Sequence, residues 1–350
     1  MPFVQSRRHL LTNVAVAGAT SFAGLSAAGL YGGRKSVAAE PPPEVTTIRF
    51  EKDFATCLAP QAAEDLLLAE GFTDIRRVDI TEPQLRRAES ARSGTLGDVM
   101  AHGEVDFGRT FVPGLIMAME VGAPITILAG LHIGCFEVFG SNDIRAMVDL
   151  RGRIVGIAGF EDESLVKIMA GSVGVDPAKD IRWVKSLSRR PMDLFVEDKI
   201  DAFVAISPVL QEVRARNIGH VIVSSIADRP WSQHYCCLYV TRTEFARNYP
   251  VATKRVLRAI LKAVDLCVSQ PAHMAQLLVN QGYTTRYDYA LQALSEIRYD
   301  VWREYDPEDT LRFYALRLQE VGMIKSTPQQ IIAEGTNWRF LNELKREMKT

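Results

Sequence analysis

The pattern of apolar and polar residues predicts strands and helices that alternate along most of the chain. Residues 45–51, VTTIRFE, alternate as a half-buried strand does, and a helix is predicted over 61–70. A strand over 75–80 and a helix over 83–91 complete a β-α-β unit. Because such units build mostly parallel sheets with helices on their faces, the pattern predicts an α/β protein.

The segment Thr95–His132 contains the strongest candidate for ligand binding. A short apolar strand at 105–107 is predicted to end in a loop, Gly108–Phe111, and a helix is predicted over 112–120. Small ligands bind outside the carboxyl ends of strands in open α/β sheets, and the first turn of a helix favours an anion. Arg109 is the strongest single candidate, because a guanidinium can hold a carboxylate or sulfonate through two hydrogen bonds. The alternatives are a salt bridge between the two lobes and a solvated loop charge.

A second α/β set begins at Val148, and the chain then returns to the first set. A strand over 235–241 rejoins the first set, so the chain leaves it near 134 and returns near 234. We therefore predict two lobes, residues 45–133 plus 235–350 and residues 134–234, joined by a two-segment hinge that lets them close around a ligand. No G-x-G-x-x-G motif follows the first strand, which excludes a dinucleotide-binding domain.

The amino-terminal segment indicates export from the cytoplasm. Ser6-Arg7-Arg8-His9-Leu10-Leu11 has the form of a twin-arginine signal, and Val37-Ala38-Ala39 offers a cleavage site of small residues. We therefore predict a signal peptide over 1–39, a linker over 40–44, a periplasmic location and no stable membrane insertion after cleavage. Polar and glycine residues dilute the apolar run, which argues against the alternative of a membrane anchor.

Charge and size narrow the classes of partner. Residues 1–39 contain four basic residues and no acidic one, so their removal lowers the formal charge of the 350-residue chain from −1 to −5. A mildly acidic chain without a basic run is not expected to bind nucleic acid. The remaining length is sufficient for two lobes with separate cores.

Cysteines and histidines give no sign of a metal or cofactor site. The six histidines are scattered, and the five cysteines show no C-x-x-C and no zinc-like spacing; they are Cys57, Cys135, Cys236, Cys237 and Cys267. We expect Cys236 and Cys237 to pack as ordinary apolar residues of a strand. The sequence thus predicts no cofactor and no bound metal.

Loops at the predicted carboxyl ends of strands, together with the returning segment, supply the candidate ligand-binding residues. The aromatic ones could stack against a flat ligand or pack in the core, and Trp231 is expected to be exposed toward the cleft. Arg189 and Arg190 could add charge at the cleft rim, but a solvated loop is the expected place for them. The full candidate set is Lys52, Asp53, Phe54, Thr56, Gly108, Arg109, Thr110, Phe111, His132, Phe160, Glu161, Ser207, Trp231 and His234.

Four motifs in order carry a resemblance to a known family. They are Gly103-Glu104-Val105-Asp106-Phe107-Gly108 with Gly122-Ala123-Pro124-Ile125, then VDLRGRIVGI at 148–157, KIDAFV at 199–204, and residues 244–263. The chain resembles the solute-binding proteins of nitrate/sulfonate/taurine-type ABC transporters, a group that includes thiamine-pyrimidine-synthase-like proteins. The resemblance implies a two-lobe periplasmic-binding-protein fold of type II. It also implies capture of a small anionic or heteroaromatic ligand and its delivery to an ABC transporter permease.

Two alternatives to transport remain open. Enzymes in this group use a histidine in the helix after the Val-Asp strand and a cluster of cysteines. The matching stretch here, 112–116, has no histidine, and only Cys236-Cys237 stands in the place of the cluster. We therefore expect no catalytic residue and no enzyme activity. A ligand sensor that couples to a receptor would share the same fold, because a fold does not fix function.

Overall fold

The computed structural model describes residues 40–52, 58–79, 96–186 and 189–349 and contains two five-stranded sheets flanked by helices. The predicted signal peptide and the helix predicted over 83–91 lie outside the described residues. The strands are β1 Thr47–Lys52, β2 Asp74–Asp79, β3 Phe107–Phe111, β4 Ile125–His132, β5 Phe136–Gly140, β6 Ile154–Ile157, β7 Arg182–Lys185, β8 Ala202–Ile206, β9 His220–Ser224 and β10 Cys237–Arg242.

Helices follow most strands, and the last third of the chain is helical. Prolines stand at the first positions of many helices, where the missing N–H costs nothing. The helices are α1 Leu58–Gln61, α2 Glu64–Ala69, α3 Leu96–Ala101, α4 Val112–Glu120, α5 Phe160–Ser172, α6 Pro191–Val196, α7 Val209–Ala215, α8 Thr243–Asn248, α9 Pro250–Ser269, α10 Pro271–Asn280, α11 Tyr287–Glu296, α12 Pro307–Glu320, α13 Pro328–Gly335 and α14 Arg339–Glu347.

The two sheets have the same topology. The first sheet has the order β2-β1-β3-β10-β4, and the second has the order β7-β6-β8-β5-β9. In each sheet three neighbouring strands are parallel, while the fourth, β10 or β5, runs antiparallel to both of its neighbours. Those two antiparallel strands are the ones that follow the crossings of the chain between sheets, at 133–135 and 225–236. The mostly parallel two-sheet α/β fold predicted from the sequence is thus confirmed.

The structure corrects the position of the predicted Gly108–Phe111 loop. These residues belong to β3 and are buried, with Arg109 opposite Tyr239 and Thr110 opposite Leu238 on β10. A short apolar run that ends at Phe107 favours a strand that stops there, but pairing with a distant strand extends it. A Cβ at Gly108 would overlap Oε2 of Glu51, so a larger residue here would displace that buried carboxyl group.

Candidate functional site

A cavity of about 620 Å³ lies at the carboxyl ends of the parallel strands of the second sheet. Asp162, Ser186 and Ser207 line it just beyond β6, β7 and β8, and the segment between α10 and α11 forms the other wall. That segment contributes Tyr283–Arg286, and the first turn of α11 adds Tyr289. This volume and position are typical of sites for small molecules in α/β proteins.

The charged residues that line the cavity are more basic than acidic. Arg189, Arg190 and Arg286 line it together with two acids, Asp162 and Glu212. Burial raises the pKa of Asp162 to about 6, against the effect of backbone N–H groups that lower it. The guanidinium groups therefore offer hydrogen-bond donors to an anionic group on a ligand.

Carboxylates hold these arginines in place. Arg190 donates to Asp193 at 2.9 Å and to Glu212 at 3.2 Å, and Arg189 pairs with Glu197. Both side chains are exposed in a loop, as expected, and they also line the cavity. No local pattern predicts the cavity itself, because its facing wall comes from residues about 90 positions later in the chain.

Arg109, Thr110 and Glu161 meet in a second, buried polar cluster that joins the two sheets. Thr110 Oγ1 on β3 donates to Glu161 Oε1 on α5 at 3.0 Å, and the backbone N–H of Arg109 donates to Glu51 Oε1 at 2.8 Å. Burial raises the pKa of Glu51 and of Glu161 to about 7, although the charge of Arg109 lowers both. Arg109 is only 5% exposed, so its guanidinium compensates two buried carboxyl groups.

Two buried polar atoms, one on Glu51 and one on Tyr239, were not predicted from the sequence. Within the described residues, neither Glu51 Oε2 nor the Tyr239 hydroxyl has a hydrogen-bond partner. Burial and the nearby Glu51 raise the pKa of Tyr239 well above its usual range. Buried polar groups are usually satisfied, so such atoms mark places where a polar ligand could bind. An alternating apolar strand such as β10 gives no signal for this role.

The aromatic candidates pack against other rings. Trp231 is buried edge-on to Phe313 at 5.4 Å between ring centroids, so its predicted exposure toward the cleft is wrong. His234 stacks on the same Phe313 at 4.0 Å, and burial lowers the pKa of His234. Phe111 packs edge-on to Phe136 at 6.4 Å. The helix α12, which supplies Phe313, lies far along the sequence, and this explains the error.

The remaining candidates fall into three groups. Ser207 lines the cavity, and its Oγ accepts a hydrogen bond from Gln211 Nε2 at 3.3 Å. Lys52 ends β1, outside the cavity wall. The side chain of Phe160 and the residues Asp53, Phe54 and Thr56 lie outside what the structure describes, so their roles stay predictions.

His132 belongs to a buried cluster with three cysteines. The ligand atoms of His132, Cys135, Cys236 and Cys237 all lie within 4.8 Å of one another, and all four residues are buried. Cys135 and Cys236 form a disulfide, so the expectation that Cys236 packs as a plain apolar residue is wrong. These residues are scattered along the sequence but meet in the fold, because β4 and β10 pair with His132 opposite Cys237.

A comparison with models of protein families identifies the family of this chain. The family model described as "NMT1/THI5 like" matches residues 86–274, just over half of the chain. The chain belongs to the NMT1/THI5-like family. This match includes β3, β10 and the second sheet, so Arg109, Thr110, Glu161 and most of the cavity wall lie within the matched region, whereas Glu51 precedes it.

Solved structures with the same fold include periplasmic binding proteins. The nitrate-binding protein NrtA from Synechocystis PCC 6803 has a TM-score of 0.72 and 16% identity, covering 88% of this chain and 90% of its own. The alkanesulfonate-binding protein SsuA from Xanthomonas axonopodis pv. citri, bound to MOPS, has a TM-score of 0.63 and 13% identity, covering 86% of this chain and 100% of its own. These likenesses show the fold of this NMT1/THI5-like chain.

One curated relative of this chain is an enzyme. The 4-amino-5-hydroxymethyl-2-methylpyrimidine phosphate synthase THI11 of Saccharomyces cerevisiae (strain ATCC 204508 / S288c) is 24% identical over 197 residues, which are 52% of this chain and 57% of THI11. The chain spans about half the length of the curated relatives it matches. In the part of the chain that the structure describes, no helix is both long enough and apolar enough to span a membrane.

Proposed function

We propose that this chain is an extracytoplasmic solute-binding protein that captures a small anionic or heteroaromatic molecule and delivers it to an ABC importer. The shared fold with NrtA and SsuA supports the class of protein. Residues 1–39 would direct export by the twin-arginine pathway to the periplasm. The two lobes, 45–133 plus 235–350 and 134–234, would move about the crossings at 133–135 and 225–236.

The observation that carries this proposal is the cavity at the carboxyl ends of β6, β7 and β8. Its three arginines suit an anionic head group, and apolar residues such as Met192 and Phe203 suit a hydrocarbon or aromatic body. The guanidinium of Arg286 lies 3.9 Å from the ring centroid of Tyr289, which gives a flat surface for a heteroaromatic ring.

Closure would be stabilised by the contact between Thr110 and Glu161. This hydrogen bond joins β3 of the first sheet to α5 of the second, so it forms only when the two approach. A ligand that touches both walls of the cavity would shift the population toward this closed state through its own contacts.

The first experiment identifies the ligand and then tests the cavity. Native mass spectrometry of protein purified without refolding is expected to reveal a co-purified small molecule. Calorimetry with that molecule should then show at least a tenfold loss of affinity for Arg190→Gln, because a charged hydrogen bond contributes about 1.5–3 kcal/mol. Arg317→Gln, whose partner Glu320 is also local and which does not line the cavity, is the matched control. Unchanged affinity in Arg190→Gln would remove the cavity from the binding site.

A second experiment separates two roles for Arg109. Arg109→Ala is expected to weaken binding by more than about 1 kcal/mol if the guanidinium clamps an anion. It also leaves two buried carboxyl groups uncompensated, so Arg109→Lys is the sharper variant. Lysine keeps the charge and loses the two-pronged geometry. Loss of affinity in Arg109→Lys at unchanged stability supports the clamp, and unchanged affinity supports charge compensation alone.

The alternative of an enzyme or a receptor-coupled sensor has its own readout. If the purified protein converts the co-purified molecule to a product, the chain is an enzyme like its relative THI11. A binding protein releases the molecule unchanged. Uptake of the labelled ligand by cells with and without the gene then separates transport from sensing.

A further inference from the structure

The buried cluster of His132, Cys135, Cys236 and Cys237 has the composition of a metal centre. One nitrogen and three sulfurs form a Cys₃His set, which is a common ligand set of tetrahedral structural zinc. His132 and Cys135 are separated by two residues, the spacing that is usual for a pair of zinc ligands on one turn. A search for C-x-x-C alone overlooks this pair, because its first member is a histidine.

Two of the interatomic distances match those around one tetrahedral ion. Zinc with bonds of about 2.0–2.3 Å holds neighbouring ligand atoms roughly 3.3–3.8 Å apart. Cys236 Sγ lies 3.5 Å from His132 Nδ1 and 3.7 Å from Cys237 Sγ. The side chains of all four residues are at most 2% exposed, so the ligands are already removed from water.

The backbone brings the four ligands to one point where the chain passes between sheets. His132 ends β4, and Cys135 lies in the first crossing; Cys236 ends the second crossing, and Cys237 begins β10. Gly134 has a φ of +77° in the turn between the first two ligands. A Cβ at Gly134 would lie 2.8 Å from Ile226 of the second crossing, so the two crossings touch here.

We propose that, with its thiols reduced, this Cys₃His cluster binds one thiophilic divalent cation of the zinc type. The Cys135–Cys236 disulfide is the oxidised state of the same sulfurs and excludes the ion. On binding, each cysteine thiol loses its proton to the buffer and donates a sulfur lone pair to the metal. The ion ties both crossings together and thereby fixes the pivot about which the two sheets move.

The test is a metal titration of the full chain in both redox states. A phosphine reduces the disulfide to two thiols and is itself oxidised to the phosphine oxide; Co²⁺ is then added without oxygen. One equivalent of Co²⁺ should produce the strong visible absorption of tetrahedral thiolate ligation, and one equivalent of Zn²⁺ should abolish it. The oxidised protein, with two ligands in the disulfide, should show neither change.

Variants assign the ion to this cluster. Cys237→Ser and His132→Ala are expected to lower the affinity for Zn²⁺ at least tenfold. Cys267→Ser is the matched control, since Cys267 is equally buried but lies in α9 outside the cluster. X-ray absorption of the zinc-loaded wild-type protein should show three sulfur ligands and one nitrogen. This measurement does not depend on any variant folding correctly. Folded, reduced protein that binds no Co²⁺ or Zn²⁺, or a zinc shell dominated by oxygen, would overturn the proposal.

Discussion

The two sheets share one topology but differ in how completely they are covered. In the first sheet every residue of β3 and β4 is buried, and the helices from Thr243 onward add to its core. In the second sheet the edge strands β7 and β9 are partly exposed, and one face packs in a small separate cluster around Phe139, Phe203 and Leu210. Both sheets contain buried charges, Glu51 and Arg109 in the first and Glu137 in the second, but among the described loops that follow strands, only those of the less covered sheet line the cavity. Regions with fewer buried contacts open more readily, which suits residues that must admit a ligand.

The largest expected effect comes from removing a core ring in each sheet. Phe107 packs against Phe245 at 4.8 Å and Phe50 at 5.7 Å between centroids, and Phe203 packs against Phe139 at 5.6 Å. Phe107→Ala should lower the free energy of unfolding by about 4 kcal/mol and Phe203→Ala by about 3 kcal/mol. Denaturant titration measures both values. Hydrogen exchange should show faster opening confined to the second sheet for Phe203→Ala, and a uniform increase would break the comparison.

The next effect is the part of the pH dependence that comes from Glu51 on the first sheet. Because the pKa of Glu51 in the folded chain is raised from 4.5 to about 7, the stability that its protonation contributes is present at low pH and is lost as the pH rises through about 7. Glu51→Gln should therefore reduce the loss of stability between pH 5 and pH 8 by roughly 3 kcal/mol.

Thermal unfolding across this pH range provides the measurement, and Glu197→Gln provides its control. Arg189 and Lys199 lower the pKa of Glu197 to about 2 in the folded chain. Glu197 is therefore ionised throughout this pH range in both the folded and the unfolded chain, and its replacement should not change the pH profile. An unchanged profile in Glu51→Gln would mean that Glu51 is ionised in the folded protein.

A smaller effect is expected at the contact between the sheets. Thr110→Val removes the hydrogen bond to Glu161 and leaves a buried carboxyl oxygen without that donor, at a cost of about 1–2 kcal/mol. Thr253→Val is the matched control, because Thr253 is equally buried but bonds within α9, to Tyr249 O at 2.8 Å. Small-angle scattering without ligand should show expansion only for Thr110→Val. Equal behaviour of the two variants would mean that the contact does not control closure.

The smallest effect on stability is expected at the cavity. Arg190 is half-exposed, and its ion pairs with Asp193 and Glu212 are solvated, so Arg190→Gln should change the free energy of unfolding by less than about 0.5 kcal/mol. Differential scanning calorimetry checks this value. If Arg190→Gln weakens ligand binding strongly but hardly changes stability, the cavity is a ligand-binding region and not a structural one.

The local pattern of apolar and polar residues predicts most strands and helices but not most of the candidate site. The strand Ala202–Ile206 and the break before Pro250 agree with the structure, because alternation, apolar runs and proline act over a few residues. Arg109 was recognised as important, but its surroundings were not, since Glu51 and Glu161 lie 58 and 52 positions away in the sequence. Trp231 was misjudged for the same reason, because its partner Phe313 is on α12.

What the sequence by itself determined is the α/β class, the departure and return of the chain, and the family. These follow from periodicity, the order of the elements and short motifs, all of which are local properties. Only the tertiary structure decided that Gly108–Phe111 form a strand, that Arg190 and Arg286 share a cavity, and that His132 meets three cysteines. Each of these depends on which distant segments pair, and pairing is set by the packing of the whole core.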